Sequence, residues 1–171
     1  MADTYTLISS VTVGAGGANI IGFSSIPSTY TDLKIVASLR DTATGSTGYG
    51  FSLVFNNDLT GARYSGRYLL GNGANASSGT VSDYSTSYTY VGGAATSNTF
   101  SNTEIYIPNY AGSTQKSTSI DSVTENNATT AFADMWAKLY NQTTAISQID
   151  LYSSGTFAQY STAYLYGIKN S

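Results

Sequence analysis

The sequence predicts an all-β protein, folded as a jelly-roll-like antiparallel β-sandwich. Short segments of alternating apolar and polar residues recur along the chain, about nine to eleven in number, and clusters of Gly, Asn, Asp and Ser separate them. Only one segment fits a helical period as well as a strand. With 171 residues and no long linker, the chain is predicted to form a single sandwich domain over residues 1–171.

The predicted strands come from alternation and from enrichment in β-branched and aromatic residues. Asp32–Arg40 is the clearest, because its apolar residues alternate with Lys34, Ser38 and Arg40. Gly71–Val81 is small and polar and is predicted to be a loop. In chain order, the predicted strands are Thr4–Val13, Ala18–Phe23, Asp32–Arg40, Phe51–Asn56, Arg63–Asn72, Tyr84–Val91, Thr99–Tyr110, Lys116–Glu125, Ala131–Tyr140, Ile146–Ser153 and Tyr160–Lys169.

The segment Thr99–Tyr110 shows how each strand separates two faces. Successive side chains of a strand point to opposite sides. Ile105 and Ile107 are therefore expected in the core, and Tyr106 and Tyr110 are expected to face solvent or a partner.

Ala131–Tyr140 is the segment that fits either a helix or a strand, and the hairpin-like turn after it favours a strand. A strand here would be apolar on both faces, which requires a cover on both, one from the core and one from another subunit. We therefore predict a subunit contact made by Phe132, Trp136 and Tyr140, together with the outward-facing Tyr106 and Tyr110.

Composition argues against several partners. Charged residues make up 10% of the chain, the net charge is −3, and no basic cluster is present. Binding to nucleic acid or to an anionic membrane surface is therefore not expected. No apolar run is long enough to span a bilayer, and the first residues show no secretory signal.

The residues available for chemistry favour a protein without catalytic activity. The chain has no histidine and no cysteine, which rules out a Ser-His-Asp triad, an imidazole base, thiol chemistry and the usual zinc sites. The carboxylates that could serve a glycosidase, Glu104, Glu125, Asp121 and Asp134, show no informative spacing. We predict no enzyme activity, no cofactor and no metal.

The loop Asn56–Gly61 weakly resembles a calcium loop. In such a loop the twelfth position supplies a bidentate glutamate, and here that position is Arg67, which would repel a cation. A plain turn is the favoured interpretation.

Tyrosine is the strongest functional signal, with 15 residues in the chain. Its large rigid ring and its hydroxyl suit both protein interfaces and sugar rings. Tyr84, Tyr88 and Tyr90 lie in one segment and are candidate contacts for a partner or a glycan. A contact between subunits is the first interpretation and a glycan platform is the second.

Four stretches of the chain resemble a family of small structural proteins of tailed bacteriophages, common among aquatic and cyanobacterial phages. They are TYTLISSVTVGAGGANIIGFSSIPSTYTDLKIVASLR, NTFSNTEIYIPNY, KSTSIDSVTENNATTA and YSTAYLYGIKNS. The resemblance extends over nearly the whole chain. The resemblance implies a virion component with a jelly-roll-like sandwich. It carries no catalytic motif and no functional residues.

Together, the residues and the resemblance predict a virion structural protein that acts by protein–protein contact. The first expectation is a capsid decoration or cement protein, or a head-fibre subunit, that associates as a homo-oligomer, with a trimer favoured, and contacts other virion proteins such as the major capsid protein. The alternative is a receptor-binding module of a tail fibre or tail tip that binds a host surface glycan. Either would be made in the host cytoplasm and incorporated into the virion.

Overall fold

The computed structural model describes residues 4–45, 50–86, 89–125 and 131–169. Within them the chain forms eleven strands and one short 3₁₀ turn, Gly61–Arg63. The strands are β1 Tyr5–Thr12, β2 Ala18–Phe23, β3 Asp32–Ser38, β4 Phe51–Phe55, β5 Tyr64–Gly71, β6 Ala76–Val81, β7 Asn102–Ile107, β8 Lys116–Glu125, β9 Ala131–Tyr140, β10 Ile149–Phe157 and β11 Thr162–Ile168.

The strands form two antiparallel sheets that pack as a sandwich. The wide sheet has eight strands in the order β1-β11-β3-β7-β8-β9-β5-β6, and the narrow sheet has three in the order β2-β10-β4. This confirms the predicted all-β sandwich and is consistent with a jelly-roll-like arrangement. The ambiguous segment Ala131–Tyr140 is the strand β9, an inner strand of the wide sheet.

The core lies between the two sheets and follows the alternation read from the sequence. In β7, Ile105 and Ile107 are fully buried, while the intervening Tyr106 is exposed. From the narrow sheet, Leu53 and Leu151 join the same apolar cluster. Such burial is the main favourable contribution to folding and is worth roughly 1.5–3 kcal/mol for each large apolar side chain.

The segment between β6 and β7 completes the narrow sheet. The Leu53 N–H donates to the Tyr84 carbonyl at 2.9 Å, and the Thr86 N–H donates to the Phe51 carbonyl at 2.9 Å. These bonds occupy the free edge of β4 and bring the segment over the inner face of the wide sheet. Farther along, the Thr89 carbonyl accepts hydrogen bonds from Thr103 Oγ1 at 3.0 Å and Ser122 Oγ at 2.8 Å.

Two predictions for this part of the chain are wrong. Gly71–Val81 is not all loop, because β6 pairs with β5 along Ala76–Val81. Tyr84–Val91 is not a regular strand: its described residues form isolated bridges, among them those of Ser85 and Val91, and residues 87 and 88 lie outside the described ranges. Near the other end of the chain, β10 begins three residues later than predicted and extends to Phe157.

Gly79 explains how so polar a segment pairs as a strand. It lies directly opposite Tyr68, and the Tyr68 ring covers it so closely that a Cβ at position 79 would be 2.5 Å from the Tyr68 hydroxyl oxygen and 2.6 Å from two ring carbons. Glycine weakens a strand unless a neighbouring aromatic ring covers it. Tyr68 therefore supplies the packing that β6 itself lacks.

We predict that Gly79→Ala lowers the free energy of unfolding by about 1–3 kcal/mol, because the added methyl group overpacks against Tyr68. Gly71→Ala is the matched control, since Gly71 lies in the neighbouring strand and a Cβ there has no neighbour within 4 Å. Urea unfolding of the two variants measures the difference. Equal stabilities would show that the Tyr68 ring moves aside at no cost.

Candidate contact surface

Strand β9 has the predicted alternation, but the face predicted to contact another subunit is the one that faces the core. Trp136 is only 2% exposed and Tyr140 only 3% exposed within a single chain. The Trp136 ring packs 4.8 Å from that of Tyr68, and the Tyr140 ring lies 4.7 Å from that of Tyr64. The predicted contact is therefore wrong for Trp136 and Tyr140. Phe132 is half-buried, and for it the subunit contact stays a prediction.

Tyr106 and Tyr110 have different environments. Tyr106 faces outward as predicted, is 38% exposed, and donates its hydroxyl proton to Asp32 Oδ2 at 2.7 Å. Tyr110 is fully buried and its hydroxyl donates to the Pro27 carbonyl, so the expected contact is wrong for it. The strand ends at Ile107 and Asn109 adopts a positive φ of 49°, so the alternation no longer fixes the direction of Tyr110.

The proposed tyrosine platform is not assembled by the described residues. Tyr90 is fully buried, with its hydroxyl 2.6 Å from the Gly50 carbonyl oxygen and its ring 5.7 Å from that of Phe157. Burial raises the pKa of Tyr90, and no sugar could stack on its ring, so this prediction is wrong for Tyr90. Tyr84 is half-buried, its ring edge-on to Tyr64 at 5.8 Å, and Tyr88 lies outside the described residues.

Four exposed large apolar side chains lie together on the solvent side of β5, β8 and β9, while others, such as Leu7 and Tyr160, are exposed elsewhere. Leu69 is 62% exposed and lies directly opposite Met135, which is 57% exposed. Val123 and Leu139 are exposed on the same face, and the small residues Ala133 and Ala137 lie between them. We call this set the outer patch: Leu69, Val123, Ala133, Met135, Ala137 and Leu139.

Small side chains leave shallow grooves across the outer patch. Two grooves, of about 670 and 510 Å³, share Leu69 and Met135 in their walls. Contiguous exposed apolar surface of this kind usually marks an interaction site. The sequence-based prediction assigned the Trp136 face of β9 to the subunit contact, which left the opposite face, with Met135 and Leu139, to the core. It could not bring Leu69 beside them, because this requires the strand order.

Few charges border the outer patch. Lys34 pairs with Glu104 across β3 and β7 at 2.7 Å. Arg67 on β5 and Asp121 on β8 are exposed, and neither forms an ion pair with any described residue. Arg67 therefore lies on one side of the apolar centre and Asp121 on the other, and Glu125 is exposed at the end of β8 beyond Val123.

The carboxylates considered for catalysis do not form an acid pair across a cleft. Glu104 and Asp121 are brought opposite each other, but on neighbouring strands of an open face, and Lys34 already binds Glu104. Asp134 points to the inner side of the sheet. No group of three or more acidic residues within the described ranges could hold a metal ion.

The loop Asn56–Gly61 is the turn favoured by its sequence. Its Asp58 carboxylate accepts hydrogen bonds from Arg63 Nη1 at 2.6 Å and from the Tyr140 hydroxyl at 2.8 Å. Partial burial acts to raise the pKa of Asp58, but the hydrogen bonds from Arg63, Tyr140 and Thr60 outweigh this and lower the pKa to about 2. The carboxylate thus serves to anchor the turn to β9.

Asp134 is a buried acid without a hydrogen-bond partner. It is 3% exposed, and neither carboxylate oxygen accepts a hydrogen bond. Burial raises its pKa to about 7, because the charged form loses its hydration. The nearby indole N–H of Trp136 offsets part of this rise without forming a hydrogen bond, and the negative charge of Asp121 adds to it.

Comparison with known proteins gives no match: no family model, no curated protein and no solved structure resembles the chain significantly. Among the described residues, no helix is long and apolar enough to cross a membrane. The function must therefore be argued from the surface itself.

We predict that the stability of the protein falls as the pH rises from about 4 to 7. Asp134 has a pKa of about 7 in the folded state, against a reference value of 3.8. Between these values the folded state binds a proton that the unfolded state does not, and this stabilisation is lost as the pH rises and Asp134 ionises. The free energy of unfolding should drop by about 2–4 kcal/mol.

Asp134→Asn should remove most of this slope, since the amide does not ionise. Urea unfolding at several pH values measures both proteins, and the difference between their curves isolates Asp134 from the other acids. Parallel curves for the two proteins would show that Asp134 is solvated or paired in solution.

Proposed function

We propose that this protein is a structural subunit of a bacteriophage particle and acts by protein–protein contact rather than by catalysis. A capsid decoration or cement protein, or a head-fibre subunit, is the role that fits best. The observation that carries the proposal is the outer patch: a rigid sheet face with several large apolar side chains exposed side by side. A surface of this kind gains free energy when a partner covers it.

Three further features support the proposal. The chain as a whole is poor in charge, with 10% charged residues, and interface centres are depleted in charge. The carboxylates considered for catalysis lie on an open face or in the core. The sequence resemblance to structural proteins of tailed phages points the same way. The glycan-binding alternative has less support, because Tyr90 is buried in the core.

The direct test is the location and copy number of the protein. Particles purified from a lysate of the producing host should contain it after nuclease treatment and density-gradient banding. Quantitative mass spectrometry then gives copies per particle. Hundreds of copies would place it on the head, and a few dozen or fewer would place it on a tail or fibre. Recovery only in the soluble fraction would contradict the proposal.

We predict that the double variant Leu69→Ser, Met135→Ser is incorporated into particles at least about ten-fold less than the wild type, because the contact loses its apolar centre. Its unfolding midpoint should stay close to that of the wild type, since both side chains are mostly exposed. Incorporation is measured by immunoblot of banded particles.

Leu59→Ser is the matched control for this experiment. Leu59 is 53% exposed, like the patch residues, but it lies in the turn after β4 and not on the wide sheet. It should be incorporated normally. If the double variant is also incorporated normally, the outer patch is not the contact surface.

A further inference from the structure

Arg67 and Asp121 occupy opposite corners of the outer patch. In the ladder, Arg67 lies opposite Ala137, and Asp121 lies opposite Met135, two residues away along β9. The two charged residues are thus on the strands that flank β9, one on each side. From strand spacing and rise, the separation is about 10 Å across the strands and about 7 Å along them.

We propose that the outer patch binds a second copy of this chain face to face, so that Arg67 of each copy pairs with Asp121 of the other. This inference rests on the proposed function only in taking the outer patch as a contact surface. It goes further by naming the occupant and the residues that orient it.

The proposed pairing follows from symmetry. Consider a twofold axis that lies in the plane of the interface and passes over β9 between Met135 and Ala137. If this axis is perpendicular to the line from Arg67 to Asp121, it places Arg67 of each copy over Asp121 of the other. Both ion pairs form at once, as an isologous contact requires. With the spacings above, the strands of the two copies cross at about 70°, which is close to orthogonal sheet packing.

The centre of the patch suits the same arrangement. Leu69 and Met135 project from the face, while Ala133, Ala137 and Ser119 are small. The projecting side chains of one copy can therefore enter the grooves of the other, which already have Leu69 and Met135 in their walls. Apolar burial supplies the affinity, and the charged pairs at the edge fix the orientation.

Charge complementarity favours a second copy over an unrelated partner. An acidic partner would leave Asp121 facing like charge, and a basic partner would do the same to Arg67. A second copy satisfies both, since it offers one cation and one anion at the required corners. Lys34 and Glu104, already paired within the chain, need no partner. A face-to-face contact closes with two copies, so it favours a dimer over the trimer expected from the sequence.

Charge reversal tests the pairing directly. Arg67→Asp alone and Asp121→Arg alone each place like charges together at both ends of the contact. Each should weaken self-association at least about ten-fold. The double variant Arg67→Asp, Asp121→Arg restores opposite charges and should associate nearly like the wild type. Sedimentation velocity over a concentration series measures all four proteins, and both residues are exposed, so folding should not change.

A mixture of the two single variants is the sharpest experiment. In the mixed pair, position 67 of each copy meets the opposite charge at position 121 of the other, so a heterodimer should form where neither variant dimerises alone. In a ring of three, at least one contact would still join like charges. Recovery of dimers only on mixing therefore identifies both the residues and the twofold symmetry.

Several results would overturn the inference. They are a wild-type protein that stays monomeric at high concentration, single variants that associate normally, a double variant that is not restored, or a wild-type mass of three copies. Failure here is distinguishable from failure of the proposed function. A monomeric protein that still needs Leu69 and Met135 for incorporation would use the outer patch for a different virion protein.

Discussion

The fold depends on covering an eight-stranded sheet with a sheet of only three strands. The inner face of the wide sheet carries large side chains over β3, β7, β8, β9 and β5, and three strands are too few to exclude water from all of them. The chain between β6 and β7 supplies the missing cover, since it adds to the free edge of β4 and places Tyr84 against Tyr64 and Tyr90 against Phe157. Without this segment, the packed rings of Tyr64, Phe55 and Tyr140 and the ring of Phe157 would be more exposed to water.

Buried cations hold the covering segment and neighbouring loops in place. The Arg40 guanidinium donates to the carbonyls of four residues from Gly93 to Thr99, at 2.8–3.0 Å. Lys138 donates to the Ser85 carbonyl at 2.5 Å and lies 5.5 Å from the centroid of the Trp136 ring, while Lys116 binds carbonyls in the loop before β8 and in the loop after β9. Carbonyl dipoles thus replace carboxylate partners, which a buried cation would otherwise need.

Desolvation lowers the pKa of all three cations, that of Lys138 to about 8. Three of the seven basic residues are therefore used inside the protein. Few basic residues are then left for the surface. The outer patch is therefore almost uncharged. The scarcity of charge noted in the sequence thus has a structural cause as well as a functional consequence.

The sequence was sufficient to predict the fold class and most strands, because alternation is a local property. Ile105 and Ile107 were assigned to the core correctly. β6 was missed because its packing comes from Tyr68 on the neighbouring strand β5. The pairing of β5 with β6 cannot be read from a local sequence pattern. Leu69 and Arg67 could not be joined to β9 without the strand order, and Tyr110 and Tyr90 lie where the chain leaves regular strand geometry.

Strand β9 shows why periodicity alone chose the wrong contact surface. Alternation gives two faces but does not say which is inside. One face of β9 carries only Ala, Met and Leu, and by hydrophobicity it should be the buried one. The other carries Asp134 and Lys138 beside Trp136 and Tyr140, and this mixed face is nevertheless inside. The Trp136 ring packs on Tyr68 and the Tyr140 ring on Tyr64, so the face with the large aromatic rings is the buried one. Ser85 accepts a hydrogen bond from Lys138, and Asp58 accepts one from Tyr140, so these polar groups keep partners inside. The row of Ala, Met and Leu is consequently on the solvent side, where it forms most of the outer patch.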